Sequence, residues 1–172
     1  DVAALAEVAP GTQLDLGGAE GWHAVSVRRT RVGERIHVAD GAGRRVTGTV
    51  TQTGKDSLVL VVDDIVDEPA PPTRFVLVQA LAKNDRDDQA IEAATELGVD
   101  EVIPWQADRS IVRWQGDRGH KAWRKWDQVL LAATKQSRRS RRPVLAPLVT
   151  TAQLVERVHA SSAAYLLHES AE

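Results

Sequence analysis

The chain has 172 residues, 42% hydrophobic and 27% charged, with 22 Lys and Arg against 24 Asp and Glu and no cysteine. This balance excludes a disordered or collagen-like chain, the cysteine count excludes disulfides and thiolate metal sites, and no apolar run approaches the ~18 residues of a membrane span.

In chain order, Asp1-Val2-Ala3-Ala4-Leu5-Ala6 lacks the basic start and continuous apolar stretch of a signal peptide, which predicts a cytoplasmic location. The sequence has no methionine, so more sequence is expected ahead of Asp1. Strands are predicted at Trp22 to Val27, Arg35 to Ala39, Arg45 to Thr51 and Ser57 to Val62. They are separated by Gly33, Asp40-Gly41-Ala42-Gly43 and Thr53-Gly54-Lys55-Asp56, a turn spacing that suggests a small antiparallel barrel. Three prolines among Pro69-Ala70-Pro71-Pro72 predict an extended linker over 69–73, dividing a barrel domain over 1–68 from a second domain over 74–172.

Beyond the linker, strand and helix alternate. Phe75 to Ala82 reads as a strand, and Asp85 to Leu97 as a helix with Ala90, Ile91, Ala94 and Leu97 on its apolar face and Gly98 closing it. Glu101 to Trp105 is the next strand, and Lys121 to Gln136 a longer helix burying Ala122, Trp126, Val129, Leu130 and Ala133. Thr151 to Val158 is a third helix opened by a Thr cap, and Ala163 to His168 a last strand. This order predicts an α/β layer with a parallel sheet. Because the chain stops just past a strand end, where such sheets bind ligands, more sequence is expected there too.

Charge is segregated. The stretch Arg109 to Arg142 holds eleven basic residues against Asp117 and Asp127, a local excess of nine, which points to an anionic partner or to a solvated basic face. Arg28-Arg29-Thr30-Arg31 follows a predicted strand, Lys83 and Arg86 follow the first α/β strand, and Arg109 and Arg113 frame Ser110. The run Gln136-Ser137-Arg138-Arg139-Ser140-Arg141-Arg142-Pro143 interleaves guanidinium groups with hydroxyl donors, a pattern suited to phosphate, while Lys135 and Arg138 also complement a helix dipole. Trp105, Trp114, Trp123 and Trp126 lie near these arginines. His23, His37, His120, His159 and His168 have no metal-ligand spacing, no Gly-x-Ser-x-Gly elbow exists, and the Gly41-Ala42-Gly43 run lacks the helix a nucleotide loop needs, so no metal is expected and neither hydrolase nor dinucleotide chemistry is supported.

The motifs Lys83-Asn84-Asp85-Arg86, Ala94-Thr95-Glu96-Leu97-Gly98-Val99, Asp108-Arg109-Ser110 and Lys135-Gln136-Ser137-Arg138-Arg139-Ser140-Arg141-Arg142-Pro143, in this order, resemble the ribosomal RNA small subunit methyltransferase E family. So do His23-Ala24-Val25-Ser26-Val27-Arg28-Arg29, Gly33-Glu34 and the Asp40-Gly41 turn. The tryptophan- and arginine-rich flavour is similar to actinobacterial members.

The resemblance implies a fold of α/β plus small β-barrel: a PUA-like RNA-binding barrel followed by a SPOUT-type methyltransferase domain, truncated at its C-terminus, in a homodimer with a trefoil knot. It implies S-adenosyl-L-methionine as cofactor, N3 of a uridine in 16S ribosomal RNA as target, and the small ribosomal subunit as partner. The family's Gly-Pro-Glu-Gly-Gly loop and Leu-Gly…Leu-Arg-x-Glu-Thr-Ala segment would follow Glu172. The cofactor site is therefore expected mostly beyond Glu172, with Leu167, His168 and Glu169 contributing from this chain, and the 172 residues alone are expected to bind cofactor poorly. Lys135 stands where the family often has Glu. Arg139, matched to the family arginine, is the expected charge-stabilising or target-positioning residue, and no general base is evident. Arg28, Arg29, Arg31, Lys83, Arg86, Arg109, Arg113, Arg138 and Arg141 are the expected RNA contacts. The alternative is a non-catalytic RNA-binding module associated with the ribosome.

Overall fold

Strands β3 (Arg44–Thr53) and β4 (Leu58–Asp67) turn alternate side chains inward, and Val46, Val50, Leu58, Leu60 and Val62 are all buried. A computed structural model describes residues 2–167, in which these two strands centre the first of two compact units, residues 1–73 together with Arg138–Arg142. Strands β1 (Gln13–Leu16) and β2 (Arg35–Ala39) complete an antiparallel sheet of order β1-β4-β3-β2. Leu14 pairs with Leu60, and Val50 with Leu60 on the other side. Gly48 is required in β3, since a Cβ there would lie 2.3 Å from Leu60 Cδ1 and 2.6 Å from the Val61 carbonyl.

The sheet is open, not the closed barrel that turn spacing predicts: β1 and β2 are its edges and do not pair with each other. The reason lies in residues 22–27, expected as a strand. They are instead helical, with α1 (Gly18–Trp22) running into a single π-helical turn, His23–Val27. The adjacent Ala24 and Val25 both pack on the core, which a strand's alternation would forbid. Gly21 allows this approach, because a Cβ there would come within 2.4 Å of the Leu16 carbonyl and 2.6 Å of that of Asp56. β4 also runs five residues past Val62, to Asp67.

The second unit comprises Arg74–Ser137 and the residues from Pro143 on. Strands β5 (Val76–Ala80), β6 (Glu101–Gln106) and β7 (Val144–Leu145) form a parallel sheet in that order, and β8 (Val149–Thr150) also pairs with β6. Helix α2 (Arg86–Leu97) follows β5, α3 (Gly116–Gln136) follows β6, and α4 (Thr151–His159) follows β8. Central β6 is buried on both faces, as parallel strands usually are. Val102 joins Leu81, Ile91, Val99, Trp126 and Leu130 in the larger cluster, while Ile103 joins Ala146 and Val149, against which Leu154 of α4 packs. Thr150 caps α4 in a capping box with Gln153, and Gly98 (φ 106°) closes α2.

Two expectations in this unit fail. Leu97 is 89% exposed: six residues on from Ile91 it lies about 120° around the helix axis, off the face that Ile91 and Ala94 keep. Residues 163–167 form no strand, and Tyr165, Leu166 and Leu167 are exposed. Nothing among the described residues pairs with this run, so the described sheet ends at β5 on one side and at β7 and β8 on the other. His168 and Glu169 lie outside the described residues.

Leu130 is fully buried, so Leu130→Ala should cost about 2–5 kcal/mol in denaturant unfolding. Leu97→Ala should stay within about 0.5 kcal/mol of the parent.

Candidate functional site

Open parallel sheets bind ligands beyond the carboxyl ends of their strands. Lys83 and Arg86 follow β5, Arg109 and Arg113 follow β6, and all four are exposed. The loop after β6 is folded by its own polar contacts: the Trp114 N–H donates to Gln106 Oε1 (3.0 Å), and Arg113 Nη2 donates to the Asp108 carbonyl (3.1 Å). A cleft of about 320 Å³ opens here, lined in part by Lys83, Asn84, Asp85, Asp88, Trp114 and Lys125. Trp126 at its base is buried, with Trp114 edge-on to it at 4.9 Å, so this indole pair is core packing first.

Lys125 joins the two helices at this cleft. Its Nζ lies 2.7 Å from Asp85 Oδ1 and 2.5 Å from Asp88 Oδ2. The hydrogen bond from Lys125, reinforced by its charge, lowers the Asp85 pKa below its ordinary 3.8, and the hydrogen bonds to Asp85 and Asp88 push the lysine up. Lys125 is not among the apolar positions predicted to be buried on this helix, and nothing in the sequence pattern signals a partner forty positions away.

The second basic cluster belongs to the first unit. Helix α3 ends at Ser137, the chain turns through Arg138 at φ 57°, and residues 138–142 run along the strand ends of the antiparallel sheet. The Gly43 N–H donates to the Ser140 carbonyl (3.2 Å), and the Arg142 N–H to the Gly41 carbonyl (2.9 Å). Ser140 is buried, and its hydroxyl donates to Glu68 Oε2. Arg141 donates to the carbonyls of Glu68 and Pro69, so its guanidinium holds main chain. Gly43 (φ 115°) makes the room: a Cβ there would lie 2.4 Å from Arg141 Nη2 and 2.6 Å from the Glu68 carbonyl. Asp40 pins the same turn by accepting from the N–H groups of Ala42 (2.6 Å) and Arg44 (3.0 Å).

The expected contacts are divided between the two units. Arg28, Arg29 and Arg31 are exposed at the end of the π-helical turn; Arg138 is exposed and Arg139 half-buried in the docked segment. Among the described residues, the non-glycine residues at positive φ are Arg29, Asn84, Asp85 and Arg138, each inside one of these candidate segments. Left-handed backbone at a non-glycine residue costs free energy and gathers where function demands it. Leu167, an expected cofactor contact, is 96% exposed. No cluster of metal-binding side chains occurs among the described residues, and no described helix is long and apolar enough to cross a membrane.

Residues 69–172 match the family described as RNA methyltransferase domain, and residues 16–63 the RNA methyltransferase PUA domain. The chain is 41% identical over 160 residues to Ribosomal RNA small subunit methyltransferase E of Mycobacterium tuberculosis, covering 90% of this chain and 60% of that protein. It is 28% identical over 142 residues to the Bacillus subtilis protein of the same name, covering 82% of this chain and 56% of the relative. Among solved structures it is similar to Ribosomal RNA small subunit methyltransferase E from Neisseria gonorrhoeae bound to S-adenosyl methionine. There the TM-score is 0.76 at 26% identity, over 87% of this chain and 62% of that one. The chain therefore spans about three-fifths of the length of the relatives it matches.

Two outcomes follow from the contacts above. Gly43→Ala should destabilise the first unit by about 1–3 kcal/mol in urea unfolding, because either Arg141 or the strand end must move. Lys125→Ala should let the Asp85 pKa rise back toward 3.8, read by carboxyl NMR titration. The contribution that this lowered pKa makes is present above pH 3.8 and fades as pH falls through the lowered value, so it should vanish in the variant.

Proposed function

Because the chain belongs to the RNA methyltransferase family, alongside the ribosomal RNA small subunit methyltransferase E proteins, we propose that it serves an S-adenosylmethionine-dependent methyltransferase acting on N3 of a uridine in 16S ribosomal RNA. The proposal includes a cytoplasmic homodimer, with residues 1–68 as the RNA-binding domain, 69–73 as linker and 74–172 as the first part of the methyltransferase domain. The observation that carries it is the placement of Lys83, Arg86, Arg109 and Arg113 beyond the carboxyl ends of adjacent parallel strands, in a chain whose other basic cluster is ordered along a match to an RNA methyltransferase PUA domain.

The cofactor supplies the methyl group. The described residues do not enclose it: the cleft is open and charged, and Leu167 is fully exposed where the resemblance puts a contact. What these residues supply is RNA binding and base orientation. Uridine N3 becomes nucleophilic as its proton passes to solvent water, and the negative charge spreads onto the two uracil carbonyl oxygens. A guanidinium placed beside those oxygens stabilises that charge without itself titrating. Arg139, half-buried on an ordered segment, takes this part. Arg28, Arg29, Arg31, Lys83, Arg86, Arg109, Arg113 and Arg138 contact phosphate and sugar, giving affinity more than sequence choice. Arg141 serves the same surface by holding the strand ends that carry it.

In the full-length gene product, Arg139→Ala should lower methylation of small ribosomal subunits by roughly a hundredfold or more, with little change in Tm. A large loss of stability would make Arg139 structural. S-adenosylmethionine titrated calorimetrically against the full-length product should bind. Retained RNA binding without cofactor binding or methyl transfer would leave a non-catalytic RNA-binding module.

A further inference from the structure

Glu68 lies one residue past β4 and grips the arginine segment with both main chain and side chain. Its N–H donates to the Gly43 carbonyl (2.9 Å), and its own carbonyl accepts from Arg141. One carboxylate oxygen accepts from the Ser140 hydroxyl, and the other faces Arg45 Nη1 at 3.3 Å. A hydroxyl donating to a carboxylate is a charge-assisted bond, about twice as strong as a neutral one, and its donor Ser140 is 3% exposed while the Glu68 side chain is 41% exposed. The segment needs such an anchor. Residues 138–142 begin with a left-handed Arg138, and that backbone strain favours release.

We propose that Glu68 is a positioning residue for the methyl transfer: its carboxylate, acting through Ser140, fixes the backbone that carries Arg138 and Arg139. Arg139 immediately precedes Ser140, so the Ser140 anchor sets where its Cα lies on the antiparallel sheet. This rests on the role given to Arg139 above. Small misplacement of a charge-stabilising group costs much of its effect, which makes a carboxylate on the antiparallel sheet a determinant of rate.

The test is a double-mutant cycle in the full-length gene product, with methylation of small ribosomal subunits as readout. Glu68→Ala should lower kcat/KM by roughly ten- to a hundredfold. In an Arg139→Ala background the same change should cost less than about twofold, since there is no placement left to lose. Trypsin should cut after Arg138 and Arg139 faster in Glu68→Ala than in the parent. Ser140→Ala, which leaves the Glu68 pairing with Arg45 intact, should show the same non-additivity if Glu68→Ala fails to fold. Losses that multiply independently, or unchanged cleavage, overturn the positioning role while leaving Arg139 in place. Wild-type methylation by Arg139→Ala alone overturns the reading on which that role rests.

Discussion

Every buried main-chain polar group needs a partner, and for residues 138–142 that requirement is met along the antiparallel sheet. The segment leaves α3 after Ser137, forms no helix and lies in no sheet of its own, yet Ser140 is buried. Its carbonyls and N–H groups find Gly41 and Gly43, its hydroxyl finds Glu68, and Arg141 fills the space that a side chain at position 43 would occupy. An arginine-rich loop that would otherwise sample many conformations is thereby held in one, and its ordering cost is met on folding.

The parallel sheet solves a different problem. Its charged residues past β5 and β6 sit where the chain is least regular, beside two consecutive left-handed residues, Asn84 and Asp85. Asn and Asp tolerate this geometry better than other side chains. Lys125 ties the turn down through Asp85 and Asp88, and as an exposed pair with Asp85 it adds little stability, so its value lies in holding the cleft wall in place.

The legible parts of the fold were those governed by period and punctuation. Arg35–Ala39 follows strand alternation between two turns, and α2 ends at Gly98 because only a residue tolerant of φ 106° fits there. What sequence hides is contact at long range. The run Trp22 to Val27 has strand-like composition, but the adjacent Ala24 and Val25 both pack on the core, which a helical turn allows and strand alternation does not. Tyr165 to Leu167 is apolar enough for a strand, yet it is exposed and pairs with no strand among the described residues. The arginine cluster reads as an anion site from composition alone, yet composition gives no means of separating Arg141, which binds backbone, from its neighbours. Glu68 carried no signal at all: its partners lie more than twenty and more than seventy positions away.

The chain crosses between its two units three times, after Thr73, after Ser137 and after Arg142. The first unit is thus not a contiguous stretch of sequence. As the chain emerges during synthesis, its four strands can pair once Asp67 has appeared, but the hydrogen bonds to Gly41, Gly43 and Glu68 from residues 140–142 must wait for some seventy further residues. The first unit is therefore completed only after much of the second has been made: β5, α2, β6 and α3 must all have left the ribosome before its arginine segment can settle.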